Sequence, residues 1–246
     1  MRCLDHDRLT SGRLESARRH GTPGVIAALV WLCLSGAAEA APMVFTDSAS
    51  FQAALAAPPS VLHFDDVPED TPVPEGVPIQ GVTFTSNLGA LDLTVSNIFQ
   101  TTSPDNYLGV GDGDDGLFRS GDELGFTFGT SLTAFGLFIV GNPENILAND
   151  FQLTASGGSV FNLGAPQQTL GDGGGVFFLG IIDAAGFDSA SLVSFGDPDA
   201  PFFRFLIDDI TTTAATPVPE PATLVLVGFG LLAACRRGRV SKTAAR

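Results

Sequence analysis

Phe202-Phe203-Arg204-Phe205-Leu206-Ile207-Asp208-Asp209-Ile210 decides the fold class. Alternation puts Phe203, Phe205 and Ile207 on one face and Arg204 and Asp208 on the other, which is the period of a β-strand and not of a helix. On the polar face, Arg204 beside Asp208 reads as a surface ion pair. The same period of two recurs over 61–66, 81–86, 91–95, 124–128, 151–154, 159–163 and 191–195. Phe135 to Val140 and Val176 to Ile181 are apolar throughout, as central strands covered on both sides would be. Between these runs stand Gly, Asp and Pro, and Ser156-Gly157-Gly158-Ser159 has the brevity of a hairpin connection. Short strands rich in Phe, Val and Thr with such punctuation predict an all-β fold, an antiparallel β-sandwich. One short N-terminal helix is expected over 47–57, where Phe51 and Leu55 recur at helical spacing behind Asp or Ser caps and Pro58-Pro59 ends the pattern.

Outside this body lie two segments of different composition. Residues 1–40 read as a signal peptide: an Arg-bearing polar start, the apolar run Gly24 to Leu34, and small residues at Ala38 and Ala40, so cleavage by signal peptidase is expected between Ala40 and Ala41. Arg18-Arg19 lacks the flanking residues of a twin-arginine signal. Residues 216–246 begin Thr216-Pro217-Val218-Pro219-Glu220-Pro221, continue through the apolar run Leu224 to Ala234 to the cationic stretch Cys235-Arg236-Arg237-Gly238-Arg239, and end at Arg246. A helix over 222–235 would rise about 21 Å, short of the roughly 30 Å of a bilayer's hydrocarbon core. Such a segment suits a temporary hold, with its arginines kept on the cytoplasmic side.

Val218-Pro219-Glu220-Pro221, the apolar segment and the cluster at Arg236 and Arg237 resemble the PEP-CTERM sorting signal of Gram-negative, exopolysaccharide-producing bacteria. The resemblance implies a membrane exosortase as processing partner, a hydrophobic sorting helix that anchors the protein transiently, and a destination in the outer envelope or outside the cell. Residues 41–215 also resemble the β-sandwich domains that precede this tail, through Phe64-Asp65-Asp66, Gly81-Val82-Thr83-Phe84 and Ile207-Asp208-Asp209-Ile210, which implies a jelly-roll or lectin-like topology.

Charge and cysteine usage narrow the function further. Of 27 acidic residues, 22 fall in 41–215, against only Arg119 and Arg204 among the basic ones, so the body carries a charge near −20. Nucleic acid and anionic lipid surfaces would repel it. Cys3, Cys33 and Cys235 all lie in the terminal segments, leaving the body without disulfide, thiol nucleophile or thiolate metal ligand.

Gly109-Val110-Gly111-Asp112-Gly113-Asp114-Asp115-Gly116 is the sharpest candidate site, because a Gly-rich loop with several carboxylates can wrap a calcium ion. Asp112, Asp114 and Asp115 would be the ligands. The spacing is not that of an EF-hand, since Leu117 stands where that loop turns on Gly, and a plain Asp-Gly turn is the alternative. Gly171-Asp172-Gly173-Gly174-Gly175 has the composition of a phosphate cradle but no Lys or Arg, and reads as a hairpin loop. His63 is the only histidine of the body and lies within a strand pattern, so a Ser-His-Asp site is not expected and no catalytic residue is assigned.

The expected function is therefore that of an exported, acidic, non-enzymatic surface or matrix protein, associated with exopolysaccharide or biofilm and needing no cofactor beyond a possible calcium ion. A carbohydrate-binding module is the alternative, for which Tyr107 is the one aromatic of the body outside the Phe set, the single Trp31 lying in the signal segment. An enzyme acting on polysaccharide would need a carboxylate pair that sequence does not single out.

Overall fold

The computed structural model describes residues 40–155, 158–195 and 202–215 together with Gly230. The sorting motif and nearly all of the signal segment fall outside the described residues. Of the chain's two compact units, Met1–Ala38 and Glu39–Arg246, the second contains everything described. Ala40 and Ala41 are both exposed, just ahead of the first strand.

In chain order the elements are β1 (Met43–Phe45), α1 (Ser48–Ala54), β2 (Ser60–Leu62), a 3₁₀ turn (Phe64–Asp66), β3 (Pro72–Val73), β4 (Pro78–Ile79), β5 (Val82–Ser86) and β6 (Leu93–Ser96). They continue with β7 (Tyr107–Val110), β8 (Phe118–Arg119), β9 (Glu123–Gly141), β10 (Phe151–Ala155), β11 (Gly158–Phe161), β12 (Gln168–Thr169), β13 (Gly175–Ser194) and β14 (Arg204–Ala214). The helix begins where capping chemistry places it, with the Asp47 carboxylate accepting the Ser50 N–H at 2.7 Å. It is shorter than its apolar pattern, because Leu55 is already extended.

The antiparallel all-β fold with one helix is as the alternation requires. The strands do not form two separate sheets, however, but a single hydrogen-bonded system with the path β11-β10-β13-β9-β14-β7-β6-β3. Two runs each, 124–128 with 135–140 and 176–181 with 191–195, turn out to be halves of the long strands β9 and β13. The first half of β9 pairs with β5 and with the end of β13, whereas its second half pairs with the start of β13 and with β14. The β9–β13 register shifts between the Ile182, Phe187 and Ser189 pairings, so the two strands turn a corner together.

The corner folds the sheet over its own core. Phe126 and Phe135 are nine positions apart on β9, which would separate them by about 30 Å on a straight strand. Their ring centroids lie 5.0 Å apart, and Phe128 meets Phe135 at 5.2 Å. One core cluster consequently gathers Phe84, Phe126 and Leu192 from one arm and Phe135, Ile139, Phe205 and Ile207 from the other.

Helix α1 covers the outer face of the second arm. Gly136 and Gly180 are directly paired across β9 and β13. Their missing side chains leave a slot into which Phe51 of α1 and Phe178 fit, with ring centroids 5.1 Å apart. Farther along the same face, Tyr107, Val140, Val176 and Leu206 form a second apolar cluster. Tyr107 is completely buried there, which removes it as an aromatic platform for a ligand.

Candidate functional site

The end of the domain where β14 begins gathers four connections. They are the loop before β7 (residues 97–106), the acidic loop between β7 and β8, the loop after β9, and the glycine-rich turn before β13. The last three reach this end because β7, β9 and β13 end or begin there, whereas the loop before β7 leaves the other end of that short strand and folds back, its Gln100 N–H donating to Asp172.

The loop before β7 is tied down by two carboxylates. Asp208, in β14, is completely buried, and its Oδ2 accepts the hydroxyls of Thr101 (2.6 Å), Thr102 (2.8 Å) and Ser103 (2.8 Å) and the Ser103 N–H (2.9 Å). Its Oδ1 is buried with no hydrogen-bond partner. Burial pushes the Asp208 carboxyl above its ordinary pKa, as does the charge of Asp209, against the opposing pull of the Thr101 and Ser103 hydrogen bonds. The expected Arg204–Asp208 surface pair does not form, because the loop covers Asp208 and takes all its hydrogen bonds.

Asp65, in the 3₁₀ turn, holds the other end. Its Oδ1 accepts the N–H groups of Asp105 (3.0 Å) and Asn106 (2.8 Å), while the Asn106 amide donates to the Val67 carbonyl at 2.8 Å. Burial would raise the Asp65 pKa, but those two N–H groups, with help from Ser103 and His63, keep it below the usual carboxylate value. One carboxylate of each acidic pair, Asp65 and Asp208, thus clamps this loop.

His63 precedes this turn instead of lying within a strand, since β2 ends at Leu62. Its Nδ1 meets Asp209 Oδ1 at 2.5 Å. Asp209 reaches outward because its backbone is left-handed (φ 46°) at the register shift between Asp208 and Thr211. The nearby hydroxyls of Thr102 and Ser103 donate to Asp208 and not to His63.

The acidic loop does bring its three carboxylates together, with oxygens of Asp112, Asp114 and Asp115 within 4.8 Å of one another. It is also a built Asp-Gly turn: Asp112 Oδ1 accepts the N–H groups of Asp114 (3.0 Å) and Gly116 (3.2 Å), and Asp115 Oδ1 accepts that of Leu117 (3.2 Å). Gly113 and Gly116 supply the left-handed turns. Arg119 reaches Asp112 Oδ2 at 3.3 Å, and Arg204 pairs with Asp115. Both arginines among the described residues are therefore committed to this loop. Asp112 lies below its ordinary pKa despite some burial, owing to the Asp114 and Gly116 N–H groups and the Arg119 charge. The glycine-rich turn is a hairpin connection whose Asp172 Oδ1 accepts the Gly174 N–H at 2.9 Å.

Between these loops runs a groove of about 610 Å³. Its floor includes Val140 and Leu206, and its rim includes Phe99, Gln100, Asn145 and Phe202. Phe99 and Phe202 are 37% and 54% exposed, so two aromatic rings face solvent. Alternation places Phe202 on the face of Arg204 and Asp208, away from Phe203 and Phe205, but Phe99 carries no signal that alternation could find.

Residues 217–240 match the model of the PEP-CTERM protein-sorting motif. No curated protein matches the chain. Among solved structures it is similar to the crystal structure of the K2 cleaved adhesin domain of Lys-gingipain, at 12% identity and a TM-score of 0.39, over 64% of this chain and 98% of that one. The sorting motif marks an exported protein, held transiently at a membrane by its C-terminal segment and processed by an exosortase. Among the described residues no helix is long and apolar enough to cross a membrane.

Proposed function

We propose that this PEP-CTERM-tailed chain is a non-enzymatic component of the cell surface or extracellular matrix, associated with the exopolysaccharide or biofilm layer. One observation carries the reading: the sorting motif matched at 217–240 follows almost directly on β14, which ends at Ala214. Ala215 and Thr216 alone separate them, so an anchored tail would hold the folded domain close against the membrane until it is cut. Signal peptidase would release the other end at Ala40-Ala41, two residues before β1.

A role without catalysis is supported by how the polar groups are spent. His63 is held by Asp209, and the hydroxyls beside it are directed at the buried Asp208. The acidic body disfavours nucleic acid as a partner.

Intact mass of the protein recovered from the extracellular and membrane fractions of its host tests the reading. A mass corresponding to a chain starting at Ala41 and lacking the residues after the Pro-Glu-Pro motif is expected, with the tail retained in Glu220→Ala. Recovery from the cytosol with Met1 and Arg246 both present would overturn it.

A further inference from the structure

We propose that the groove between Phe99 and Phe202 binds a neutral polysaccharide chain. A sugar ring offers an apolar C–H face and an equator of hydroxyls, so its receptor needs exposed aromatic rings beside planar groups that can donate and accept hydrogen bonds. The groove supplies both. Phe99 and Phe202 are its exposed rings, and Gln100, Asn145 and Glu144 line it with side-chain polar atoms that make no hydrogen bond to other described residues. At about 610 Å³ it has the capacity of a small-ligand site.

Charge and topology select this ligand over the obvious competitors. Glu144 and Asp172 line the groove, and its one cation among the described residues, Arg204, is already paired with Asp115, so a polyanionic glycan or a nucleic acid would meet net negative charge. A peptide adding itself as a strand would need a free sheet edge. The floor offers none, because at Val140 and Leu206 both β9 and β14 have a paired strand on each side.

The Asp208 clamp makes the rim rigid, since the residues it holds, Thr101 to Ser103, directly follow Phe99 and Gln100. The groove also lies at the opposite end of β14 from Ala214, the last residue of that strand. Arg204 and Ala214 are ten positions apart, or roughly 30 Å along a strand. Where the ligand is met rests on the exported reading; the binding itself does not.

Affinity electrophoresis of the protein recovered from its host, in native gels cast with hydroxyethylcellulose, galactomannan, dextran or alginate, tests the proposal. Retardation by at least one of the three neutral polymers and none by alginate is expected. Phe202→Ala and Gln100→Ala should each weaken it at least tenfold at unchanged melting temperature, whereas Phe195→Ala, an exposed ring outside the groove, should leave it intact. Absence of retardation in every neutral gel, retardation by alginate alone, or equal retardation of wild type and Phe202→Ala would overturn it. The mass measurement above reads export independently of any of these results.

Discussion

Ser103 and Asp208, 105 positions apart in the chain, are joined twice, through the Ser103 N–H at 2.9 Å and its hydroxyl at 2.8 Å on the same carboxylate oxygen. With Thr101 and Thr102 this concentrates four donors on one buried atom. Hydrogen bonds to a charged group contribute about 1.5–3 kcal/mol each when one partner is deleted, though members of one network do not add. Asp208→Ala should therefore destabilise the domain by about 3–5 kcal/mol and free the loop, with Asp208→Asn recovering part of the loss. Urea unfolding measures the first, and protease cleavage within 97–106 the second. An Asp208→Ala protein with unchanged midpoint and uncut loop would show that the clamp holds nothing.

The carboxylates of the domain titrate in opposing directions. Asp65 and Asp112 are held below the ordinary aspartate value of 3.8, so the stability they contribute is present above that value and lost as the pH falls through their folded pKa. Asp208 and Asp122, raised mainly by burial, behave oppositely. Their folded forms bind a proton more tightly than the unfolded chain, so acidification from their folded pKa down towards 3.8 favours the fold. Wild type should gain stability relative to Asp208→Asn as the pH is lowered through that window, and both should lose it below 3.8. Parallel denaturation series from neutral to acid pH check this; a difference that shrinks on acidification would reverse the assigned direction for Asp208.

Local pattern carried most of the fold. Alternation located β5, β10 and β14, and Asp47 with Phe51 marked the helix. What alternation cannot express is distance: nothing in Phe126 to Phe135 says that a strand turns back on itself, because the corner is made by pairings with β13 and β14 far along the chain. For the same reason Asp208 reads as a solvent-facing residue until the loop at 101–103 is laid over it. The Asp112-Asp114-Asp115 cluster was legible because its members are neighbours, whereas its arginine partners include Arg204, 89 positions beyond Asp115. The groove's rings come from a loop and a strand entrance, where burial follows no period.

The glycine pair under α1 gives a packing prediction. A methyl at Gly180 would lie 2.8 Å from ring carbons of both Phe178 and Phe51, and one at Gly136 would lie 2.6 Å from Phe178. Overpacking of this kind costs typically 1–3 kcal/mol. Gly180→Ala should lower stability by that order, and Phe51→Leu should cost less in the Gly180→Ala background than in wild type, because the clash it relieves is shared. A double-mutant cycle in urea measures both, and strictly additive losses would mean that Phe51 does not occupy the slot.

Arg119 and Arg204 stand where a cation would compete for Asp112 and Asp115. A guanidinium and a calcium ion neutralise the same oxygens, so the arginines set how much calcium can add. Wild type should gain little in melting temperature from millimolar calcium, the range in which extracellular modules bind it. Arg204→Ala leaves Asp115 without its partner and three carboxylates within reach of one ion. This variant should be less stable than wild type in chelator and recover with calcium, and Asp114→Ala in the same background should abolish the recovery. Thermal melts with calcium and with chelator decide it. Equal calcium responses in wild type and Arg204→Ala would show that the guanidinium and the ion do not share a site.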